Sequence, residues 1–220
     1  QYNHTANQFL IGTGGVDYLR LDSSGRLLLG TTTEGNASAD DLTVATSGDT
    51  GITIRSGTSN SGQIYFSDAT SGAGEYDGAI EFSHSSQQMK LYTAGTERMR
   101  IDSSGRLLLG TTQTLYSPAD DLVVGSGSGD RGLSIYSGTS DAGVIAFADG
   151  TSDPSYRMGQ IIYDHSANSM LFRTNGNTTA LTLDSSQNAT FAGSVSDSKG
   201  DLRSIPKSAK TANYTLVAAD

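Results

Sequence analysis

The chain alternates apolar and polar residues over short stretches, and turn-forming residues separate these stretches. ITIRS at 52–56, QIYFS at 63–67, AIEFS at 79–83 and MKLYT at 89–93 each put apolar or aromatic side chains on one side and polar ones on the other. A period of two is that of a β-strand with one apolar face. No stretch has helical periodicity of useful length, and scattered Gly and β-branched residues oppose one. The pattern predicts an all-β fold with little or no helix.

The sequence DSSG separates two apolar runs at 22–25 and again at 102–105, which predicts a strand, a tight turn and a second strand. Gly25 and Gly105 are the residues expected to permit the turn. Three successive Leu follow each turn, and such a run exposes apolar side chains on both faces of a strand. Equivalent strands from neighbouring copies of the chain would cover them. The predicted intersubunit core therefore consists of Leu27, Leu28, Leu29, Leu107, Leu108 and Leu109.

These motifs belong to a repeat with a period near eighty residues. RLDSSGRLLLGTT at 20–32 returns as RIDSSGRLLLGTT at 100–112, ADDL at 39–42 returns at 119–122, and GITIRSGTS at 51–59 returns as GLSIYSGTS at 132–140. The repeat predicts four segments. They are the second half of a truncated unit (1–38), two units of several strands each (39–118 and 119–195) and the start of a further C-terminal segment (196–220).

Composition narrows the classes of function. Apolar residues make up only 35% of the 220 residues, and Gly accounts for 27 positions, so each chain has a thin core that repetition or other chains would complete. The formal net charge of −9 disfavours nucleic acid, and no apolar run is long enough for membrane insertion. Without Cys the chain has neither disulfides nor thiolate metal sites.

The motif ERMRIDSSGRLLLGTT at 97–112, with YLRLDSSGRLLLGTT at 18–32 and LTLDSSQNATFAGSV at 181–195, resembles the β-rich shafts of bacteriophage tail fibres, especially those of marine cyanophages. The resemblance covers nearly the whole chain. It implies an elongated homotrimeric fibre of parallel chains, with strands wound or stacked around a three-fold axis as a β-prism, a triple β-helix or small β-sandwich units. Many such fibres end in a self-cleaving chaperone domain, but SDSKGDLRSIP at 196–206 departs from its usual Asp-Ile-Arg-Leu-Lys-like entry.

The same resemblance implies the partners and the location. The partners would be two identical chains, other tail or baseplate proteins, and a host cell-surface receptor, a polysaccharide, bound through distal parts of the fibre. The chain would belong to the virion after synthesis in the host cytoplasm.

Two groups of residues raise the question of a chemical site. His4, His84 and His165 fall at one repeat position, where a trimer would form rings of three imidazoles able to hold a metal. Descent by duplication already explains that spacing, so turn histidines are favoured. The Asp pairs at 40–41 and 120–121 suggest the two carboxylates of a glycosidase, but adjacent strand residues point to opposite faces, which favours turn or capping carboxylates.

Two further patterns have structural interpretations. An ion pair between Asp22 and Arg26, repeated at Asp102 and Arg106, would set register within or between chains. Exposed tyrosines would stack on sugars, yet Tyr also fills half-buried strand positions, and the second interpretation is favoured. The tyrosines concerned are Tyr65, Tyr76, Tyr92, Tyr116, Tyr136 and Tyr156.

With no catalytic constellation and no cofactor motif, the sequence predicts a non-enzymatic tail-fibre segment that links the virion to a receptor-binding tip and contributes to host attachment. The alternatives are a tailspike-type polysaccharide depolymerase and the stalk of a trimeric bacterial surface adhesin.

Overall fold

A computed structural model describes residues 1–14, 16–197 and 200–201. These residues form three sheets of five, six and five strands and a two-stranded sheet, with about 5% helix, so the all-β prediction is confirmed. The predicted C-terminal segment 196–220, with its motif at 196–206, lies outside the described residues except for 196–197 and 200–201.

The first sheet has the strand order β1-β2-β3-β4-β5. Its strands are antiparallel except for the last pair, in which β4 and β5 run parallel. The strands are β1 (Tyr2–Asn3), β2 (Gln8–Thr13), β3 (Val16–Leu21), β4 (Leu27–Leu29) and β5 (Leu42–Val44).

The second sheet repeats this arrangement with one more strand on the other edge, in the order β11-β10-β9-β8-β7-β6. Again only its last pair along the chain, β10 with β11, is parallel. The strands are β6 (Ser61–Phe66), β7 (Gly78–Ser83), β8 (Gln88–Thr93), β9 (Thr96–Ile101), β10 (Leu107–Leu109) and β11 (Leu122–Val124).

The third sheet is antiparallel throughout, in chain order from β12 to β16. Its strands are β12 (Ala142–Phe147), β13 (Gly159–Asp164), β14 (Ser169–Thr174), β15 (Thr178–Leu183) and β16 (Ala189–Phe191). The two-stranded sheet consists of β17 (Ser196–Asp197) and β18 (Gly200–Asp201). Short 3-10 helices lie at Ala73–Tyr76, Ser117–Ala119 and Ser155–Arg157.

Sheet boundaries are offset from the boundaries of the sequence repeat. The complete sequence units begin at 39 and 119, whereas the first two sheets end at Val44 and Val124. Each of these units therefore opens with a strand that hydrogen-bonds to the preceding sheet. By spatial proximity the chain divides into two compact units, 1–132 and 133–220. The first holds two sheets and the second holds the other two.

Three of the four predicted strand patterns form strands, and the fourth does not. QIYFS, AIEFS and MKLYT lie in β6, β7 and β8, as predicted. ITIRS at 52–56 does not join any sheet of the described chain, and neither does its repeat partner LSIYS at 133–137. The prediction of a strand at 52–56 is therefore wrong for the described chain, because none of the described strands lies alongside this segment to supply its hydrogen bonds.

The core is thin. Leu28 and Leu108 are the largest fully buried side chains, each 1% exposed, and they occupy the central positions of β4 and β10. Among the described residues six apolar residues are buried while thirty large apolar side chains are exposed. Burial within one chain therefore cannot account for the apolar pattern. No helix of the described residues is both long enough and apolar enough to cross a lipid bilayer.

Candidate functional site

One face of the second sheet is apolar across all six strands. Residues paired across strands point to the same side of a sheet, so the strand register defines two continuous rows. The first row is Ile64, Ile80, Leu91, Met99, Leu109 and Val124, and the second is Phe82, Met89, Ile101, Leu107 and Leu122. We call this the open face, because Ile64 is 47% and Leu122 is 50% exposed at its two edges.

The first and third sheets have an open face at equivalent positions. Its rows in the first sheet are Tyr2, Phe9, Leu21, Leu27 and Leu42, and Ile11, Leu19, Leu29 and Val44. The main row in the third sheet is Ile145, Ile161, Phe172, Leu181 and Phe191. Such aligned apolar rows, left accessible to water, are typical of an interaction surface.

The predicted Leu core divides between the two faces. Leu27, Leu29, Leu107 and Leu109 lie on the open faces and are half-buried. Leu28 and Leu108 point to the opposite face, where the chain itself buries them. Four of the six residues are therefore partly exposed in this chain, and two belong to its own core.

The strand-like segments outside the sheets are also apolar and exposed. Ile52, Leu133 and Tyr136 are 70%, 72% and 101% exposed. Each segment lies against the start of the strand that follows it. A Cβ added at Gly62 in β6 would be 3.3 Å from Cγ2 of Ile54, and one added at Gly143 in β12 would be 3.3 Å from Cγ2 of Ile135. The buried hydroxyls of Ser56 and Ser137 have no hydrogen-bond partner among the described residues. The two segments therefore share exposed apolar side chains and a buried serine hydroxyl that lacks a described partner.

The turn between β9 and β10 is fixed by one carboxylate. Asp102 Oδ1 accepts hydrogen bonds from the backbone N–H groups of Ser104 (2.9 Å) and Arg106 (3.1 Å), and Asp102 Oδ2 accepts one from Arg106 Nε (2.8 Å). Gly105 has φ +85°, a value that favours glycine, and Gly25 has the same value in the first copy. These are the glycines that the sequence placed in the turns.

The same arginine reaches a second carboxylate. Arg106 Nη1 lies 2.9 Å from Asp120 Oδ2, and the backbone N–H of Leu107 donates to the carbonyl of Asp121 at 2.8 Å. We call the group Asp102, Arg106 and Asp120 the clasp. It joins the turn to the segment that leads into the parallel strand β11. The first copy, Asp22, Arg26 and Asp40, has the same Arg26 Nη1 to Asp40 Oδ2 distance of 2.9 Å.

The clasp carboxylates are largely shielded from solvent. The side chains of Asp102 and Asp120 are 8% and 6% exposed. The side-chain hydrogen bond from Arg106 is the main cause that lowers the pKa of Asp102 below its ordinary value, and the equivalent bond from Arg26 lowers the pKa of Asp22. Both turn carboxylates are therefore held in their charged form.

Sequence reasoning found the Asp–Arg bridge but missed its third member. Asp40 and Asp120 were interpreted as turn or capping carboxylates, and the structure instead pairs each with an arginine. A signal was available, because the arginine and the first Asp of ADDL are fourteen residues apart in both copies.

The three histidines occupy hairpin turns and contact an aromatic ring two residues earlier. The His84 ring is 5.0 Å from that of Phe82 at 75°, and His4 and His165 make the same edge-to-face contact with Tyr2 and Tyr163. Within the described chain no three His, Asp or Glu side chains converge on a point where a metal ion could bind.

Most of the singled-out tyrosines are more exposed than the strand interpretation predicted. Tyr116 is 73% exposed, and Tyr65, Tyr76 and Tyr156 are about half exposed. Only Tyr92 is half-buried as expected. Tyr65, Tyr76 and Tyr92 lie together beside Glu81 in a cleft on the opposite face of the second sheet.

Two comparisons of this chain with known proteins were negative. No model of a protein family matches it, and no curated protein is significantly similar to it. The function must therefore be inferred from the surfaces described above.

Proposed function

We propose that this chain is a non-enzymatic segment of a phage tail-fibre shaft, and that it acts as a homotrimer in which the open faces of three copies pack together. The proposal combines the resemblance of the DSSGRLLLG motifs to such shafts with one structural observation. That observation is the open face itself, an apolar surface that recurs in three sheets and that the described residues leave partly exposed.

The extent of exposed surface supports this proposal. Among the described residues thirty large apolar side chains are exposed, whereas six apolar residues are buried. Exposed apolar surface on this scale is typical of an interaction surface.

Identical chains are the partner that best fits this surface. The open face contains no Asp, Glu, Lys or Arg in its aligned rows, so another apolar face is its natural complement. The segments 52–56 and 133–137 have the sequence of a strand, and no strand of the described residues pairs with them. Pairing with a neighbouring copy would supply the missing hydrogen bonds.

Repetition then serves to build length. Each sheet offers an equivalent open face, and the clasp joins the end of one sheet to the first residues of the next sequence unit. Such a shaft would connect the virion to a distal receptor-binding tip and would catalyse no reaction.

The solution mass tests the proposal, measured by light scattering and by electrophoresis in SDS without heating. We expect a mass of three chains that survives SDS. Leu91→Lys places a charge on the open face and should abolish that mass. Gln88→Lys, on the opposite face of the same strand β8, should leave it unchanged. A folded wild-type monomer would show that the proposal is wrong.

A further inference from the structure

The opposite face of the second sheet contains a small cleft. Its volume is about 200 Å³, and Gln63, Tyr65, Tyr76, Ala79, Glu81 and Tyr92 line it. The rings of Tyr65 and Tyr76 are 6.4 Å apart and inclined at 52°, so they form an aromatic wall beside the strands. Drug-sized ligands need roughly 300–1,000 Å³. The cleft is therefore suited to one small ring.

A hydrogen-bonded network holds the polar groups of the cleft in place. Glu81 accepts hydrogen bonds from Ser61 Oγ (3.1 Å), Gln63 Nε2 (3.3 Å) and Lys90 Nζ (3.3 Å). Tyr65 donates its hydroxyl to Gln63 Oε1 at 2.7 Å. A carboxylate and an amide are thus positioned next to the tyrosine rings before any ligand arrives.

The network also fixes the charge of each group. Burial alone would raise the pKa of Glu81, but the hydrogen bond from Ser61 and the charge of Lys90 together hold that pKa below its ordinary value. Burial, followed by the charges of Glu81 and Glu97, raises the pKa of Tyr92 to about 12. The cleft therefore presents a carboxylate acceptor and a protonated phenol at neutral pH.

Nothing in the construction of the sheet requires this polar network. In the third sheet the positions of Gln63, Tyr65, Glu81 and Tyr92 are occupied by Val144, Ala146, Ile162 and Arg173, and the strands pair in the same register. Ile162 is buried where Glu81 binds its partners. The same scaffold folds without the network, so its presence in one sheet indicates a role beyond folding.

The ligand follows from the chemistry of the cleft. Aromatic rings pack against the C–H face of a sugar ring, and a carboxylate beside an amide can bind adjacent hydroxyl groups. The net charge of −9 disfavours an anionic ligand. We propose that this cleft binds one ring of a neutral saccharide, which would make this face of the second sheet a receptor contact. This inference rests on the proposed function only for the biological source of the sugar.

The test uses saturation-transfer NMR on the full chain with the methyl glycosides of glucose, galactose and mannose. We expect at least one probe to receive signal from the protein. Tyr65→Ala and the more conservative Glu81→Gln should each lower the affinity at least tenfold. Tyr116→Ala, which removes a ring that is 73% exposed and lies outside the cleft, should not change it. Circular dichroism would verify that the variants fold.

Two outcomes would overturn the inference: no transfer to any neutral glycoside in the wild type, or transfer that persists in a Tyr65→Ala/Tyr76→Ala double variant. The result is separable from that for the shaft. A three-chain mass without sugar binding would refute only the cleft, whereas sugar binding by a monomer would refute only the shaft. Competition with dextran would distinguish a residue within a polysaccharide from a free sugar.

Discussion

The second and third sheets are built from aligned stretches of sequence, and they differ most where each sheet ends. After the second sheet's turn, Arg106 connects Asp102 to Asp120 and the parallel strand β11 follows. After the third sheet's turn, Asn188 stands at the position of Arg106 and donates to Asp184 at 3.0 Å, within the turn only. Among the described residues the antiparallel strand β16 is the last strand of that sheet.

This difference distinguishes two roles of the repeated DSSGR motif: forming the turn and contacting the chain segment that follows. An Asp that accepts backbone N–H groups is sufficient for the turn, because Asp184 does so for Ser186 and Asn188 at 2.9 Å each. In the second sheet the arginine has a further contact, because it joins the turn to the segment that leads into the parallel strand β11.

Truncation of the buried leucine is expected to have the largest effect. Leu108→Ala should lower the free energy of unfolding by about 2–5 kcal/mol, because Leu108 is fully buried and its truncation leaves a cavity. Thr190→Ala, at the equivalent exposed position of β16, should change it by less than about 0.5 kcal/mol. Denaturant titration of both variants measures the difference. Equal losses would mean that the two sheet ends are equally packed.

Removal of the clasp arginine should come next. Arg106→Ala leaves two shielded carboxylates without their counter-charge, so we expect the melting temperature to fall by several degrees. Arg106→Lys keeps the charge but loses the forked pair of donors. Its melting temperature should therefore lie between those of the wild type and Arg106→Ala. Asn188→Ala is the matched change in the third sheet and should have a smaller effect. Calorimetry would measure the melting temperatures. A decrease for Asn188→Ala as large as that for Arg106→Ala would contradict the role assigned to the arginine.

Acidification should weaken the clasp selectively. The folded-state pKa of Asp102 lies below its unfolded value, so its contribution to stability is present above about pH 4 and is lost as the pH falls through the folded-state pKa. Asp102→Asn should therefore reduce the loss of stability between neutral pH and pH 3. Denaturation midpoints at both values would show this, and an unchanged pH dependence in Asp102→Asn would count against it.

The smallest expected effect is on the titration of Tyr92, on the face of the second sheet opposite its open face. Tyr92 is a tyrosine in the second sheet where the third has Arg173, and its pKa is about 12. Its protonated form favours folding below the unfolded pKa of about 10, and that contribution is lost as the pH rises towards 12. Tyr92→Phe should remove the ionisation step near pH 12 from the ultraviolet absorbance titration. A titration curve identical to that of the wild type would refute the assignment.

The sequence was sufficient for the elements that depend on local patterns. Alternation predicted β6, β7 and β8, and DSSG predicted the turns, because strand periodicity and glycine conformations act over a few residues. The same local pattern predicts a strand at 52–56, where the structure has none and where no described strand lies alongside. Whether a strand-like segment joins a sheet depends on a neighbour, and a local pattern does not identify that neighbour.

The remaining features required long-range information. The parallel partner of β10 and the pairing of Arg106 with Asp120 both depend on how the chain returns to the sheet after the turn. The division of the Leu run into buried Leu108 and open-face Leu107 and Leu109 depends on which side the chain covers. The tyrosine cleft likewise joins residues from three strands and a 3-10 helix, whose spacing in sequence gives no sign of their contact.

The near identity of the two thirteen-residue stretches at 20–32 and 100–112 has a consequence for the gene. Recombination between the two coding stretches would delete or duplicate one whole period of eighty residues. Because each arginine finds its aspartate fourteen residues later in both copies, the new junction would still contain a complete clasp and a parallel strand. A lineage could thus lengthen or shorten this protein in single genetic events, with no compensating mutation at the seam.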